Sequence, residues 1–172
     1  MPQETRKNEP SSKGTAPGET GGSVREVMTR NPECVTENDP IQHAAKLMLS
    51  CDCGSIPVVE SEDRKRIIGM VTDRDIVVRL VAKGSSLGEA KVSDAMTRKA
   101  YTAHETDSLD TVHKIMSDHQ VRRIPIVDQN DELVGIVALA DVATHNTRRD
   151  DFEVKVAQTV EEISEPNRKE VR

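Results

Sequence analysis

One series of short motifs occurs twice in this chain, and the duplication constrains the fold more than any single residue does. Val27-Met28-Thr29, Asp39-Pro40-Ile41, Ser55-Ile56-Pro57-Val58-Val59 and Ile68-Gly69-Met70-Val71-Thr72-Asp73-Arg74-Asp75 come first. Ala95-Met96-Thr97, Asp107-Ser108-Leu109, Arg123-Ile124-Pro125-Ile126-Val127 and Val134-Gly135-Ile136-Val137-Ala138-Leu139-Ala140-Asp141 follow in the same order. The offset is 68 residues through the Ile-Pro pair and 66 after it, because the loop after Glu60 is two residues longer than the loop after Asp128. Such self-similarity predicts two like units packed about a pseudo-twofold axis, with each type of pocket present twice.

Each unit alone is of the size at which a single core becomes marginal, so the two are expected to bury apolar faces against each other. With no Trp, one Tyr (Tyr101) and one Phe (Phe152), the core has to be aliphatic. The same poverty removes the aromatic platforms on which single-stranded nucleic acid stacks. A net charge of −6 with acids and bases interspersed disfavours nonspecific DNA or membrane-surface binding. No apolar run approaches the roughly 18 residues of a membrane span, and the N-terminus has no apolar signal core, so a cytoplasmic protein is expected.

Four segments follow from the patterning. Residues 1–22 are Pro, Gly, Ser, Thr and charge, and are expected to be a disordered tail. Residues 23–86 form the first repeat, 87–145 a linker helix (Leu87 to Met96) with the second, and 146–172 an amphipathic helix and a frayed end. In the first repeat, Ser23 is placed to cap a short helix, with Glu26 at capping-box spacing. Val35 lies in a short extended piece. Asn38 or Asp39 is read as the cap of a helix with Pro40 at its first position and an apolar face of Ile41, Ala44, Ala45, Met48 and Leu49. Ile56 to Val59 and Arg66 to Val71 read as a hairpin, and Asp73 to Val81 as a second helix closed by Lys83-Gly84. The second repeat runs in parallel: Asp107 as cap, an apolar face of Leu109, Val112, Ile115 and Met116, a hairpin of Ile124–Val127 and Leu133–Val137, then Ala140 to Thr144. Each unit reads β-α-β-β-α, an α/β (α+β) fold. Phe152, Val156, Val160 and Ile163 are spaced for one face of the terminal helix.

A β-α-β-β-α unit occurring twice, with Gly-x-Val-Thr-x-x-Asp at the end of its hairpin, resembles the cystathionine-β-synthase (CBS) domain family over residues 23–145. Cys51-Asp52-Cys53-Gly54-Ser55-Ile56-Pro57-Val58-Val59 is similar to the first-repeat signature of stand-alone prokaryotic members. The resemblance implies one disc-like two-repeat unit (a Bateman module) that commonly pairs into a flat homodimer. It implies AMP, ADP, ATP or S-adenosylmethionine as ligand, no obligatory cofactor, and a protein target that the chain does not name.

The residues themselves support two readings of the strand-to-helix segment. Asp75 can accept from ribose hydroxyls, Thr72 can add a donor or acceptor, and Arg74 can meet a phosphate near the exposed N–H groups of the helix start. Equally, Thr72 and Asp75 have the spacing of an N-cap and its reciprocal acid. The resemblance adds that Thr and Asp at these positions are the family's ribose-binding pair. The second repeat keeps Asp141 but has Ala138 in place of Thr72, which predicts a weaker or differently used site. Arg122 and Arg123 stand where the first repeat has Gly54 and Ser55; nucleotide-sensing relatives use basic residues there on phosphates, while pairing with acids such as Asp118 is the plain alternative. Adenine needs an apolar slot, for which Val35, Ile56 and Pro57, or Tyr101, Ile124 and Pro125, are candidates that also serve the core.

Cys34, Cys51 and Cys53 are an odd number for a disulfide framework and match no common zinc spacing, even with His43 added. They are expected to be free thiols, with a thiol or metal sensor as the alternative. His43 and His113 are expected to be exposed on their helices. No nucleophile elbow, P-loop, metalloprotease motif or Rossmann fingerprint is present, so a non-enzyme is expected. The competing functions are an adenosine-ligand sensor, a ligand-free structural dimerisation module, and a thiol- or metal-responsive protein.

Overall fold

The computed structural model describes residues 23–145 and 150–164, without the side chains of 144, 145 and 150–156. The expected tails at 1–22 and 165–172, and Phe152 and Val156, lie outside what is described.

The first repeat contributes α1 (Val24–Val27), β1 (Thr29–Arg30), β2 (Val35–Thr36), α2 (Ile41–Ser50), β3 (Ser55–Val59), β4 (Ile67–Thr72) and α3 (Asp73–Arg79), followed by a 3₁₀ turn at Val81–Lys83. The second contributes α4 (Val92–Ala95), β5 (Thr97–Arg98), β6 (Ala103–His104), α5 (Leu109–His119), β7 (Arg123–Val127), β8 (Leu133–Ala138) and α6 (Leu139–His145). A final helix, α7, spans Asp150–Ser164.

Two four-stranded sheets form, β2-β3-β4-β5 and β1-β8-β7-β6. The edge strands are exchanged: β1, from the start of the first repeat, pairs antiparallel with β8, and β5 pairs with β4. Val24 and Met28 therefore sit in the second aliphatic core, beside Leu109, Val112, Met116, Ile124, Ile126 and Val137. Val92, Ala95 and Met96 complete the first core, beside Val35, Ile41, Ala44, Met48, Ile56, Val58 and Val71. Two ion pairs repeat the exchange at the surface, Arg25 to Glu105 at 2.7 Å and Arg98 to Glu37 at 2.8 Å. Sequence repeat and packing unit thus differ at their edges.

The backbone repeats as faithfully as the sequence. Ser55 pairs with Thr72 as Arg123 pairs with Ala138, and both hairpins shift register at the same place, Val58/Val59 and Ile126/Val127. Left-handed residues recur at Asn31 and Lys99, and at Asp52 and Gln120. Gly84, at φ 70°, closes the turn after α3, the position expected for a C-terminal glycine.

Several local expectations are corrected. Neither Asp39 nor Asp107 caps the helix that follows. Each carboxylate turns back instead to accept the N–H three residues earlier, from Thr36 at 2.6 Å and His104 at 2.8 Å. Pro40 is the residue flanking α2, and Ser108 caps α5 by accepting from Thr111 N–H. Ala45 and Leu49 face outward, Leu49 being 85% exposed; half-buried Leu47 packs on the core in their stead. The linker helix shrinks to the single turn of α4, preceded by a turn region. On α7, Thr159 is buried and Val160 is 45% exposed, which rotates the inward face one position from the expected stripe, while Ile163 does pack on the second core. Buried Thr159 Oγ1 lies 3.2 Å from His113 Nδ1, and α7 covers this side of α5. That cover is why His113 is buried whereas Ala45, its counterpart by the 68-residue offset, is exposed on α2, as is His43.

Candidate functional site

The N-terminal ends of β3 and β7 approach each other across the pseudo-twofold axis, and a cavity of about 300 Å³ opens there. Ser55, Ile56 and Pro57 line it from the first repeat; Arg123, Ile136, Ala138 and Asp141 line it from the second. Thr29, Pro32 and Glu33 close one side through the exchanged strand, and Cys51, Asp52 and Cys53 form the wall at the end of α2. The combination is an apolar floor with a carboxylate, a guanidinium and a hydroxyl converging on it, within the size range of small-ligand sites, about 300–1,000 Å³.

Ser55 is 6% exposed, and its Oγ is buried with no hydrogen-bond partner. A buried hydroxyl without a partner costs about 1–3 kcal/mol. Arg123 is half-buried and has no carboxylate within ion-pair distance among the described residues; neither has Arg122. The pairing with Asp118 is absent. Asp141 Oδ2 accepts the Ala138 N–H at 2.8 Å, which fixes the carboxylate at the first turn of α6.

The corresponding segment of the first repeat forms a reciprocal set of hydrogen bonds. Asp75 N–H donates to Thr72 Oγ1 at 3.0 Å, and Asp75 Oδ2 accepts from Thr72 N–H at 3.0 Å and from Thr72 Oγ1–H at 2.7 Å. Arg79 approaches the other carboxylate oxygen at 3.3 Å. Thr72 and Asp75 thus form a complete capping box, and neither they nor exposed Arg74 line the inter-repeat cavity.

The remaining expected residues divide between core and surface. Val35 and Ile124 are buried at 2% and 0% within the two cores, and Pro125 is buried in β7. Tyr101 is stacked on His119, with ring centroids 3.7 Å apart and planes 6° from parallel. By the 68-residue offset these two hold the places of Glu33 and Cys51, so the two halves of the inter-repeat region have different walls. Arg122 and Arg123 also line a second cavity of about 500 Å³, with Ala143 of α6 and Val160, Ile163 and Ser164 of α7. Arg123 borders both cavities.

Sequence reasoning missed Thr29, Pro32, Glu33, Ile136 and the cysteines as cavity walls. Thr29, Pro32 and Glu33 reach the cavity through the exchanged strand, and nothing in the Met-Thr motifs says which sheet they join. The cysteines are free, Cys51 exposed and Cys34 and Cys53 half-buried. Burial pushes the Cys34 thiol above the ordinary range. Cys53 Sγ lies 3.5 Å from Ser55 O. Among the described residues no three His, Cys, Asp or Glu side chains gather to hold a metal ion, and no helix is long and apolar enough to cross a membrane.

Comparison with known proteins agrees with this architecture. The CBS domain model matches residues 24–82 and 92–146. The CBS domain-containing protein YhcV of Bacillus subtilis is 45% identical over 123 residues, covering 72% of this chain and 84% of that protein. The crystal structure of Hypoxic Response Protein I with two coordinated zinc ions is similar at 33% identity and a TM-score of 0.65, over 72% of this chain and 98% of that one. The CBS domain pair of MJ0100, in complex with 5'-methylthioadenosine and S-adenosyl-L-methionine, is 29% identical with a TM-score of 0.63, over 71% of this chain and 97% of that one. With two CBS matches covering most of its length and a 45% identical relative, the chain belongs to the CBS domain family, as a tandem CBS pair.

Proposed function

We propose that the protein is a non-catalytic regulatory module that binds an adenosine-containing ligand, AMP, ADP, ATP or S-adenosylmethionine, in the cleft between its repeats. The observation that carries the reading is the inter-repeat cavity that Ser55, Arg123 and Asp141 line together with apolar Ile56, Pro57 and Ile136. The chemistry divides naturally among these groups. Asp141 accepts from the ribose hydroxyls, Arg123 attracts a phosphate or carboxylate, Ser55 hydrogen-bonds a polar edge, and Ile56, Pro57 and Ile136 sandwich the base. The ligands bound by the MJ0100 domain pair support the same class. Thr72, Arg74, Asp75 and Tyr101 then belong to a second, pseudo-equivalent site, weaker because the Thr72–Asp75 box has to open its hydrogen bonds to admit a ribose. Val35, Ile124 and Pro125 act behind the cleft as its floor.

A ligand that contacts both repeats favours one relative arrangement of them and shifts the population toward it. An unidentified protein partner reads that shift, in the cytoplasm, with the module paired as a homodimer. No obligatory cofactor enters this scheme.

A ligand-free structural module is the second reading, favoured by the closed Thr72–Asp75 box and by the exposed apolar side chains Leu49, Val77, Val78 and Val81 of the first repeat. A thermal-shift panel with the four ligands separates the two. The sensor gives a saturable rise in melting temperature with at least one of them. A folded protein that responds to none overturns the sensor.

A further inference from the structure

We propose that the inter-repeat cleft is thiol-gated: a mixed disulfide formed on Cys51 fills the cavity and excludes the adenosine ligand. This rests on the sensor reading and adds a means of control to it.

Two cysteines, Cys51 and Cys53, line the same cavity as Ser55, Arg123 and Asp141. They differ in access. Cys51 follows the last turn of α2 and is exposed, so a reagent reaches it without any rearrangement. Cys53 is half-buried and hydrogen-bonded to Ser55 O at 3.5 Å, at the start of the strand that carries the cleft's floor. Cys34 is outside the cavity wall. Asp52, between the two thiols, holds a left-handed backbone at φ 48°, so the Cys51–Cys53 segment is a tight turn against the cavity rather than a freely moving loop.

The step balances with a low-molecular-weight disulfide as oxidant. The Cys51 thiolate attacks one sulfur of, for instance, glutathione disulfide; a new S–S bond forms, the old one breaks, and one glutathione thiolate leaves. The adduct, a peptide of nucleoside-like bulk tethered at the rim of a cavity of about 300 Å³, competes with the ligand for the same space. A reductant reverses it.

The test uses the full chain. Protein treated with glutathione disulfide is mapped by mass spectrometry and titrated calorimetrically with AMP, ADP, ATP and S-adenosylmethionine, before and after dithiothreitol. An adduct on Cys51, an affinity lowered about tenfold or more, and recovery on reduction support the gate. Cys51→Ser, with its own untreated affinity as the reference, should show no change on exposure to the disulfide. Reciprocally, a bound ligand should slow iodoacetamide labelling of Cys51 and leave Cys34 labelling unchanged, a readout that needs no variant. Ligand binding by the reduced protein that persists unchanged in the Cys51 adduct overturns the gate alone. Failure of the reduced protein to bind any of the four overturns the sensor reading, and the gate with it.

Discussion

A glycine sits on each hairpin where the exchanged strand pairs with it, Gly69 opposite Arg98 and Gly135 opposite Arg30. A Cβ at Gly69 would meet Thr97 O at 2.5 Å and also the Met96 Cε, whereas one at Gly135 would meet the Met28 Sδ at 2.6 Å. Thr97 O is backbone in β5 and has no room to yield, while a methionine thioether is flexible. Gly69→Ala should therefore destabilise by about 1–3 kcal/mol and Gly135→Ala by less, as urea melts of the two variants would show. Charge has an equally local role at Asp128, whose carboxylate accepts the Glu132 and Asn130 N–H groups at 3.0 Å and 2.8 Å and is held below the usual carboxylate range by them. A carboxylate with a lowered folded-state value contributes stability above its unfolded value and loses it as pH falls through the folded value. Asp128→Asn should accordingly lower the melting temperature at neutral pH, and the difference from wild type should shrink below about pH 4. A difference independent of pH would show that the turn does not depend on the charge.

Helix caps set the contrast between the two repeats. Thr72 and Asp75 close α3 reciprocally, while at the start of α6 Asp141 accepts the Ala138 N–H and Ala138 has no hydroxyl to reciprocate. Thr72→Ala should cost about 1 kcal/mol, and Ala138→Thr should recover a comparable amount, read as opposite shifts in thermal melts. A destabilising Ala138→Thr would mean that the hydroxyl finds no N–H there. At this scale the sequence was informative where a residue's role depends on its own neighbours. The hairpins, the aliphatic face of α5 and the Gly84 stop lie where periodicity and turn chemistry put them, as do Ile41, Ala44 and Met48 of α2, while Ala45 and Leu49 do not. It was misleading where two local partners compete. Asp39 and Asp107 bond backward to a turn rather than forward to a helix, and both choices satisfy the same spacing rules. His113 was read as exposed because its burial depends on α7, 46 residues away along the chain. Likewise, the residues of the cleft were legible one at a time, as Ser55, Ile56, Pro57, Arg123 and Asp141. Their convergence on one cavity depends on how two repeats face each other, which no local pattern encodes.

Strand exchange makes the whole molecule one cooperative unit. Each core contains side chains from both repeats, so neither repeat keeps a complete core if the other unfolds. Thermal unfolding should then be a single transition with matching calorimetric and van't Hoff enthalpies; two resolved transitions would mean that the repeats unfold separately. The same interlock gives a ligand leverage, since a group bound between Ser55 and Asp141 touches both halves of the unit at once. The most direct measurement is a calorimetric titration of the reduced protein and of Asp141→Ala with AMP, ADP, ATP and S-adenosylmethionine. Saturable binding of one ligand by the wild type, lost or greatly weakened in the variant while its melting transition stays intact, is the predicted result. Binding that Asp141→Ala leaves unchanged, or no binding of any of the four, would contradict a ligand site in the inter-repeat cleft.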